Sequence, residues 1–431
     1  MTRQTESLHQ LIAHFLAKNE YGETLKQFEK EHGQHIEPST LPGTHETLEA
    51  IIADRINFLE LEKRTQQLNL DFVLDEHIQR IIDEKITNWP TPSPHRAHRL
   101  DHSLGLIVSM SYTEGKIYLS TNNMKFAIVD AATKKVEYEA SNVIGRVVIK
   151  SIVSLGNGKL LLVGMNGKIS LCKYDTSFEI LQEVQAHKRL VVDAKTMTVN
   201  NRQFVVSLGW DSLLKVLEIV ADTIKSISEI TITGQASCIG VVEYDGSLIV
   251  VVGKEENTML DVLSLTNDKL VMQYKLSLND AEFSSTSFSP RSIDIKNMGS
   301  SAPLVAVGTS HEPYMRLIVV TLSPIVATPE EPIPIKRMQI VKNLTTMSPQ
   351  DKYSKAVIFW RKAVPNHAEG VWIIGDDGIV RGIDLRNDKV VVEFPAHDGK
   401  IKNGAVEIHD SSELLITTGI DKEITLWTID S

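Results

Sequence analysis

The stretch of sequence that decides the fold occurs twice, as AHKRLVVDAKTMTVNNRQFVVSLGWDSLLKVLE at residues 186–218 and as AHDGKIKNGAVEIHDSSELLITTGIDKEITLWTID at residues 396–430. In each copy an Ala-His pair is followed 24 residues later by an Asp, so His187 matches Asp211 and His397 matches Asp421. Each Asp falls in a turn between two strand-like runs, where its carboxylate can accept hydrogen bonds from turn amides and from the His. We expect both pairs to fix the geometry of a repeated unit and to have no catalytic role.

The chain around these copies alternates short β-rich runs with tight turns. Asn157-Gly158 and Asn166-Gly167 lie between alternating apolar runs, where they supply the positive φ that two-residue hairpins need. From residue 95 onward the runs group into seven sets of four, about 48 residues each, which is close to the period of propeller blades. We therefore predict a mainly β protein with a seven-bladed β-propeller at residues 95–431. Its first strand, at His95 to Leu100, should complete the blade that ends at Trp427.

The apolar spacing before the propeller is helical. Leu8, Leu11 and Phe15 recur at intervals of three and four residues, and a second short helix opens near Tyr21. We assign residues 1–38 to a helical dimerisation motif and residues 39–94 to a helical connector with a Pro-rich linker. Asp71 or Asp75 is expected to cap a further helix in the connector. So few helices cannot cover their own apolar stripes, and a second copy of the chain is the simplest partner.

Composition and charge limit the classes of function. The chain has 431 residues, 42% of them hydrophobic, and a net charge of -10. Residues 1–90 hold sixteen acidic and nine basic residues, so this part contributes -7 of the total. We expect no nucleic acid ligand, because phosphate binding needs a basic face. No apolar run is long enough for a membrane span or a secretory signal, so an intracellular protein of the cytoplasm, the nucleus or both is expected.

The repeated copies resemble a family of known proteins. Residues 95–431 look like a WD-repeat β-propeller with divergent repeats, in which Trp427 of LWTID stands for the Trp of the signature. Leu217 takes the equivalent place in the copy that ends in KVLE. The resemblance implies that His187, Asp211, His397, Asp421 and Trp427 have a structural role.

Residues 7–31 resemble a LisH motif, although the usual Gly-Tyr pair appears here as Tyr21-Gly22. The match covers the residues for which the resemblance implies a role in dimerisation: Leu8, Leu11, Ile12, Phe15, Leu16, Tyr21, Thr24, Leu25 and Phe28, followed by Glu31. A LisH motif followed by helices and a propeller is similar to the layout of dynein-regulating Lis proteins, transducin-like corepressor subunits and some ubiquitin ligase subunits. All of these are assembly scaffolds.

Other chemically suggestive residues have simpler interpretations. The Gly156-Asn157-Gly158-Lys159 string lacks the remaining spacing of a phosphate loop and is expected to be a hairpin turn. His95, His98 and His102 have no ordered support for a metal and are expected to lie at an exposed junction.

Two further segments carry competing interpretations. The Asp384-x-Arg386 box resembles the motif by which some propellers dock onto a cullin ligase adaptor, but an Asp–Arg contact that closes a turn is the simpler explanation. Residues 324–349 form a long Pro-containing connection, which is either an irregular loop with one outer strand or a partner-docking loop.

Together these features favour a non-enzymatic interaction scaffold that dimerises through its LisH motif and binds protein partners with its propeller. No cofactor and no metal are expected. The alternative is a substrate-recruiting or regulatory subunit of a larger complex such as a ubiquitin ligase, a corepressor or a dynein regulator. An intrinsic hydrolase is a third hypothesis, and it requires titratable groups that converge in the propeller channel.

Overall fold

The structure of the protein is a computed structural model, in which the chain divides into two units, Met1–Leu74 and Asp75–Ser431. The described residues are 3–38, 47–53, 55–56, 75–91, 93, 95–100, 104–279, 287–326, 331–351, 353–355, 357–409 and 412–429. His102, residues 57–74 of the expected helical connector and residues 327–330 of the 324–349 connection lie outside them. In the described part of the chain, no helix has the length and the apolar character needed to cross a bilayer.

The N-terminal unit contains a helical hairpin. Helix α1 (Arg3–Lys18) is followed by α2 (Gly22–His32), and residues 48–53 and 55–56 are also helical. Helix α2 ends at Gly33, whose φ of 78° is the left-handed conformation that only glycine adopts without strain. Leu11, Ala13 and Ile36 are buried in this unit.

The second unit begins with helix α3 (Glu76–Lys85), which Asp75 caps by accepting a hydrogen bond from the His77 amide at 2.8 Å. Asp75 is therefore a capping residue as the sequence suggested, and Asp71, the other candidate, lies outside the described residues. Although the sequence places this helix in a separate connector, it belongs to the same compact unit as the propeller.

The described β-strands form seven sheets, which confirms the seven-bladed propeller. Blade 1 consists of β2 (Ile107–Thr113), β3 (Lys116–Thr121), β4 (Lys125–Asp130) and β5 (Val136–Ser141), and blade 2 consists of β6 (Ile149–Gly156), β7 (Lys159–Gly164), β8 (Lys168–Tyr174) and β9 (Phe178–Gln185). Blade 3 consists of β10 (Val191–Val199), β11 (Arg202–Gly209), β12 (Leu213–Val220) and β13 (Thr223–Thr231), and blade 4 consists of β14 (Ala236–Tyr244), β15 (Ser247–Lys254), β16 (Met259–Thr266) and β17 (Lys269–Ser277).

Blade 5 consists of β18 (Pro290–Met298), β19 (Ser301–Thr309), β20 (Tyr314–Thr321) and β22 (Ile340–Pro349). Blade 6 consists of β23 (Val357–Trp360), β24 (Gly370–Ile374), β25 (Ile379–Asp384) and β26 (Lys389–Pro395). Blade 7 consists of β27 (Ile401–His409), β28 (Ser412–Gly419), β29 (Ile424–Ile429) and β1 (His95–Arg99). The short strand β21 (Ile335–Lys336) adds to blade 4, parallel to β17. The 324–349 connection thus supplies a fifth strand to blade 4 and the outer strand of blade 5.

The two ends of the propeller meet in blade 7. Strand β1 pairs with β29 antiparallel, so His95 lies opposite Ile429 and Ala97 lies opposite Trp427. This pairing confirms the closure expected from the sequence. Blade 7 is therefore built from strands at both ends of the domain.

The core lies between the blades. The first strands of successive blades contact one another in a closed ring, from β2 through β6, β10, β14, β18, β23 and β27 back to β2. Each described core cluster joins the facing sheets of neighbouring blades, as Leu119 of blade 1 does with Leu426 of blade 7. The strands are therefore apolar on both faces. Most of the side chains buried between the blades are apolar, although ion pairs are also buried, such as Lys254 with Asp261 in blade 4.

Candidate functional site

The loops that follow the fourth strand of each blade and the turns between its second and third strands lie at the same end of the propeller, because neighbouring strands are antiparallel. We call this end the upper face. It includes the loops at residues 142–148, 186–190 and 396–400 and the turns at 164–168, 209–212 and 419–423. Both His–Asp pairs lie there.

In blade 3, His187 is completely buried in the loop before β10. Its Nδ1 lies 2.9 Å from Asp211 Oδ1, and its Nε2 lies 2.9 Å from Ser207 Oγ. Because a carboxylate only accepts, Nδ1 carries the proton and Nε2 accepts from the Ser207 hydroxyl. The Lys188 amide donates to Asp211 Oδ2 at 2.9 Å, so both carboxylate oxygens are bound.

Blade 7 contains the same arrangement with one more member. His397 Nδ1 lies 3.1 Å from the Asp421 carboxylate, and His397 Nε2 lies 2.8 Å from Thr417 Oγ1. Trp427 Nε1 donates to Thr417 Oγ1 at 3.0 Å. These hydrogen bonds therefore connect Trp427 in β29, through Thr417 and His397, to Asp421 in the turn before β29. In blade 3 it stops at Ser207, because Leu217 has no donor.

The sequence predicted the His–Asp pairs but not Ser207 and Thr417. Both follow the His by 20 residues, a regularity that signals their role once the two copies are aligned. The glycines at Gly209 and Gly419 were also missed. A Cβ at Gly209 would lie 2.4 Å from His187 Nδ1, so only glycine leaves room for the ring.

Burial and hydrogen bonding favour a neutral His187 and an ionised Asp211 in blade 3. Burial lowers the pKa of His187, and hydrogen bonding to Asp211 only partly offsets this effect. Burial alone would raise the pKa of Asp211, but the bonds from His187 and Lys188 outweigh it and the pKa is lowered. Both ring nitrogens of His187 and both carboxylate oxygens of Asp211 are engaged in hydrogen bonds. In blade 7 the ligand atoms of His397, Asp421 and Glu423 lie within 4.8 Å of one another, but Glu423 has no counterpart in blade 3, where Leu213 stands, and its carboxylate pairs with Arg99 at 2.9 Å.

Titratable groups converge in the central channel, as the hydrolase hypothesis requires. The charge of Asp193 raises the pKa of Lys195 in β10, and Asp294 of blade 5 adds to this effect. Burial lowers the pKa of Lys150 in β6, helped by the charge of Lys355 from the loop before blade 6. These interactions link blades that are not neighbours, so they act across the channel.

Several of these channel groups already hold the blades together. Asp294 Oδ2 accepts from the Trp360 amide at 2.8 Å, and Lys296 Nζ donates to the Arg361 carbonyl at 2.6 Å. The cysteines offer no accessible nucleophile, since burial raises the pKa of Cys172 and of Cys238 to about 12 and keeps both thiols protonated.

A buried ionic cluster anchors the segment that leads into the propeller. Arg361 Nη1 lies 3.0 Å from Glu369 Oε2, and its Nε lies 3.3 Å from Glu413 Oε2. The guanidinium also covers the ring of Trp89 at 4.5 Å. Burial raises the pKa of Glu369 and of Glu413, and Arg361 opposes this effect in both.

Trp89 occupies a slot that two glycines create on blade 6. It is 2% exposed and meets Trp372 edge to face at 4.7 Å. A Cβ at Gly370 or at Gly382 would lie 2.3 Å or 2.7 Å from its ring. The sequence analysis missed this slot.

The remaining candidates are placed as follows. The Asn157-Gly158 pair lies in the β6–β7 hairpin turn, and His95 and His98 are exposed in β1. Asp384 accepts from the amides of Arg386 and Asn387, while the Arg386 guanidinium donates to the Ile82 carbonyl of α3 at 2.7 Å and pairs with Asp83. Asp384 and Arg386 are therefore in contact across the turn, as expected, through the Arg386 amide, while the Arg386 guanidinium contacts helix α3.

The residues assigned to dimerisation lie on the helical hairpin of the N-terminal unit. Leu8 is 50% exposed and Tyr21 is 54% exposed, whereas Leu11 is buried. Thr24 is exposed, and the others are half-buried: Ile12, Phe15, Leu16, Leu25 and Phe28. The described residues of the hairpin leave part of their apolar surface exposed.

Comparison with known proteins agrees with both units. The beta-propeller domain described for UCP007778 matches residues 68–428, and the LisH domain of the same family matches residues 6–36. The chain is 25% identical over 437 residues to the uncharacterized protein YGR117C of Saccharomyces cerevisiae, and the match covers 89% of each protein.

Proposed function

Since the chain belongs to the UCP007778 family of LisH and beta-propeller proteins, we propose that it is a non-enzymatic scaffold that dimerises through its LisH motif and binds protein partners with its propeller. We further propose that it works inside the cell, in the cytoplasm, the nucleus or both. This architecture is consistent with assembly: in the proposal the propeller unit is the binding platform and the separate helical unit is the dimerisation element.

One observation carries the proposal: the helical hairpin leaves a large part of its apolar surface open. Leu8 and Tyr21 are half exposed, and Phe15 and Leu16 beside them are only half-buried. Complete burial of an exposed side chain of this kind contributes about 1.5–3 kcal/mol, and each of these side chains contributes the part of it that corresponds to its remaining exposed area. Dimerisation then doubles the number of propellers in one particle and raises the effective concentration for a second contact.

Changing Phe15 and Leu16 together to Asp tests the dimer. We expect the wild-type protein to have twice the monomer mass by sedimentation or light scattering, and the variant to have the monomer mass. The matched control is Lys26→Asp with Lys30→Asp, because these exposed side chains of α2 bring the same number of new carboxylates. A variant that remains dimeric with unchanged stability contradicts the assigned interface.

Of the assembly types considered as alternatives, docking onto a cullin adaptor gains no support from the Asp384-x-Arg386 box. Arg386 is bound to Ile82 and Asp83 of helix α3 and is not presented as a separate motif. Affinity purification of the intact protein, followed by mass spectrometry, identifies the assembly. Recovery of the protein without any stoichiometric partner would count against the scaffold.

A further inference from the structure

Four segments of blades 2 and 3 form one continuous surface on the upper face. The Met165 amide donates to the Val148 carbonyl at 3.0 Å, which joins the 164–168 turn to the 142–148 loop. The His187 amide donates to Gly167 at 3.0 Å, and the Trp210 amide donates to Leu190 at 2.8 Å. These bonds connect the 186–190 loop to the turns on either side of it.

This surface is both apolar and basic. Trp210 is 52% exposed and Met165 is 43% exposed. The same segments carry four exposed cations, and among the described residues none of the four has an ion-pair partner: Arg146, Lys168, Lys188 and Arg189. Asp211 is the one carboxylate in these segments, and both of its oxygens are already bound. We call these six side chains, from Met165, Trp210 and the four cations, the blade 2–3 patch.

The blade 7 copy shows that the His–Asp frame does not itself require these side chains. Ile420 donates its amide to the Lys400 carbonyl at 3.0 Å, as Trp210 does to Leu190. Where blade 3 has Lys188, blade 7 has Asp398, and where blade 3 has Arg189, blade 7 has Gly399. The equivalent loops of blades 3 and 7 therefore have the same backbone arrangement, but one carries the basic Lys188 and the other the acidic Asp398.

We propose that the blade 2–3 patch binds an acidic peptide segment of a partner protein that also carries apolar side chains. This inference rests on the proposed scaffold function and names the chemistry of its partner. Four unpaired cations attract carboxylates, and an exposed indole beside a Met gives an adaptable apolar contact. Nucleic acid is the less favoured ligand, because a strand needs cations along its whole track and successive aromatic rings for stacking, whereas this patch has one ring, that of Trp210.

The protein carries its own reporter for this patch. Its five tryptophans all lie in the described part of the chain, and four of them are at most 6% exposed: Trp89, Trp360, Trp372 and Trp427. Trp210 is therefore the residue that a soluble quencher reaches. Because its neighbours are cationic, iodide should quench its fluorescence more strongly than caesium, and added salt should reduce the difference.

The binding test uses the intact protein and short synthetic peptides. The probe is rich in Asp and Glu and contains Phe, and its controls replace either Phe by Ser or the acids by Lys. We expect the first peptide to bind and to protect Trp210 from quenching. We expect Lys188→Glu with Arg189→Glu to weaken its affinity at least about tenfold. We expect Ile420→Ala, which changes the blade 7 residue equivalent to Trp210, to leave the affinity unchanged.

A single-stranded oligonucleotide and the lysine peptide complete the test. Binding of the oligonucleotide in preference to the acidic peptide would overturn the inference, as would equal binding to wild type and to the charge-reversed variant, or no binding at all. All substituted residues are exposed, and melting temperatures check that the variants are folded. If purified partners stay bound to the charge-reversed variant, this inference fails while the scaffold stands; if no partner purifies with wild type, the scaffold itself fails.

Discussion

Leu217 in blade 3 occupies the position that Trp427 has in blade 7, ten residues after the hydroxyl that binds the loop histidine. The Trp427 indole donates to Thr417, whereas Leu217 packs into the core between blades 2 and 3 with 4% of its surface exposed. The His–Asp–hydroxyl part of the arrangement is therefore retained without the Trp. The stabilisation that both blades share comes from the buried His and the bonds made by Asp211 or Asp421.

Replacement of Asp211 by Ala should destabilise blade 3. It leaves His187 Nδ1 and the Lys188 amide without their acceptor, and an unsatisfied buried group costs about 1–3 kcal/mol. We expect a lower melting temperature, with partner binding retained below it. The control is Asp222→Ala, which removes an exposed ion pair with Lys159 and should leave the melting temperature close to that of wild type. Normal melting combined with lost binding would assign Asp211 to a functional surface.

Removal of Ile424–Ser431 should leave the propeller open. The truncation deletes β29, to which both β28 and β1 are paired, and uncovers Leu414 and Leu415. We expect an insoluble product or a protein without a cooperative thermal transition, measured by solubility and calorimetry. Soluble protein that melts cooperatively would show that closure through β1 is not required.

Substitution of Trp89 by Ala should destabilise the second unit by about 3–5 kcal/mol, because it empties the slot between Gly370 and Gly382 and uncovers Arg361. The matched control is Trp210→Ala, since that indole is exposed and its loss creates no cavity. Urea unfolding followed by circular dichroism measures both. Equal midpoints for the two variants would contradict the anchoring role of Trp89.

The stability of the propeller should depend on pH through His187. Burial lowers its pKa below the ordinary value of 6.5, so the unfolded chain binds this proton more readily than the folded one. The contribution of His187 is therefore complete above 6.5 and decreases as the pH falls below it. We expect the melting temperature of wild type to decrease between neutral pH and about pH 5, and that of His187→Gln to depend less on pH in this range. Parallel profiles for the two proteins would contradict this assignment.

The sequence was sufficient for features that depend on local spacing. The interval between His187 and Asp211 is repeated exactly in blade 7, so two copies were enough to predict the paired arrangement. Ser207 and Thr417 were missed because a hydroxyl residue in a strand is common and signals nothing until its His partner is placed. The Trp89 slot depends on Gly370 and Gly382, which come together only when two strands of blade 6 pair.

Helix α3 was assigned to the connector for a similar reason. Its apolar stripe shows that one side is covered, but not by what, and the contact between Arg386 and Ile82 joins residues far apart in the chain. The blade 2–3 patch likewise requires the order of the blades. Arg146 and Trp210 lie on one surface only because the segments between them are joined by hydrogen bonds, one segment to the next.

The pairing of β1 with β29 also has a consequence for the newly made chain. During translation β1 emerges before the other strands, and its partner β29 is made only after all the strands between them, so β1 waits unpaired while the other blades are synthesised. Its sequence, His-Arg-Ala-His-Arg, suits that wait, because positively charged and polar side chains discourage association with other unfinished chains. Selection would then maintain these five exposed residues because they keep the incomplete chain from associating with others. In the finished propeller they form the outermost strand of blade 7.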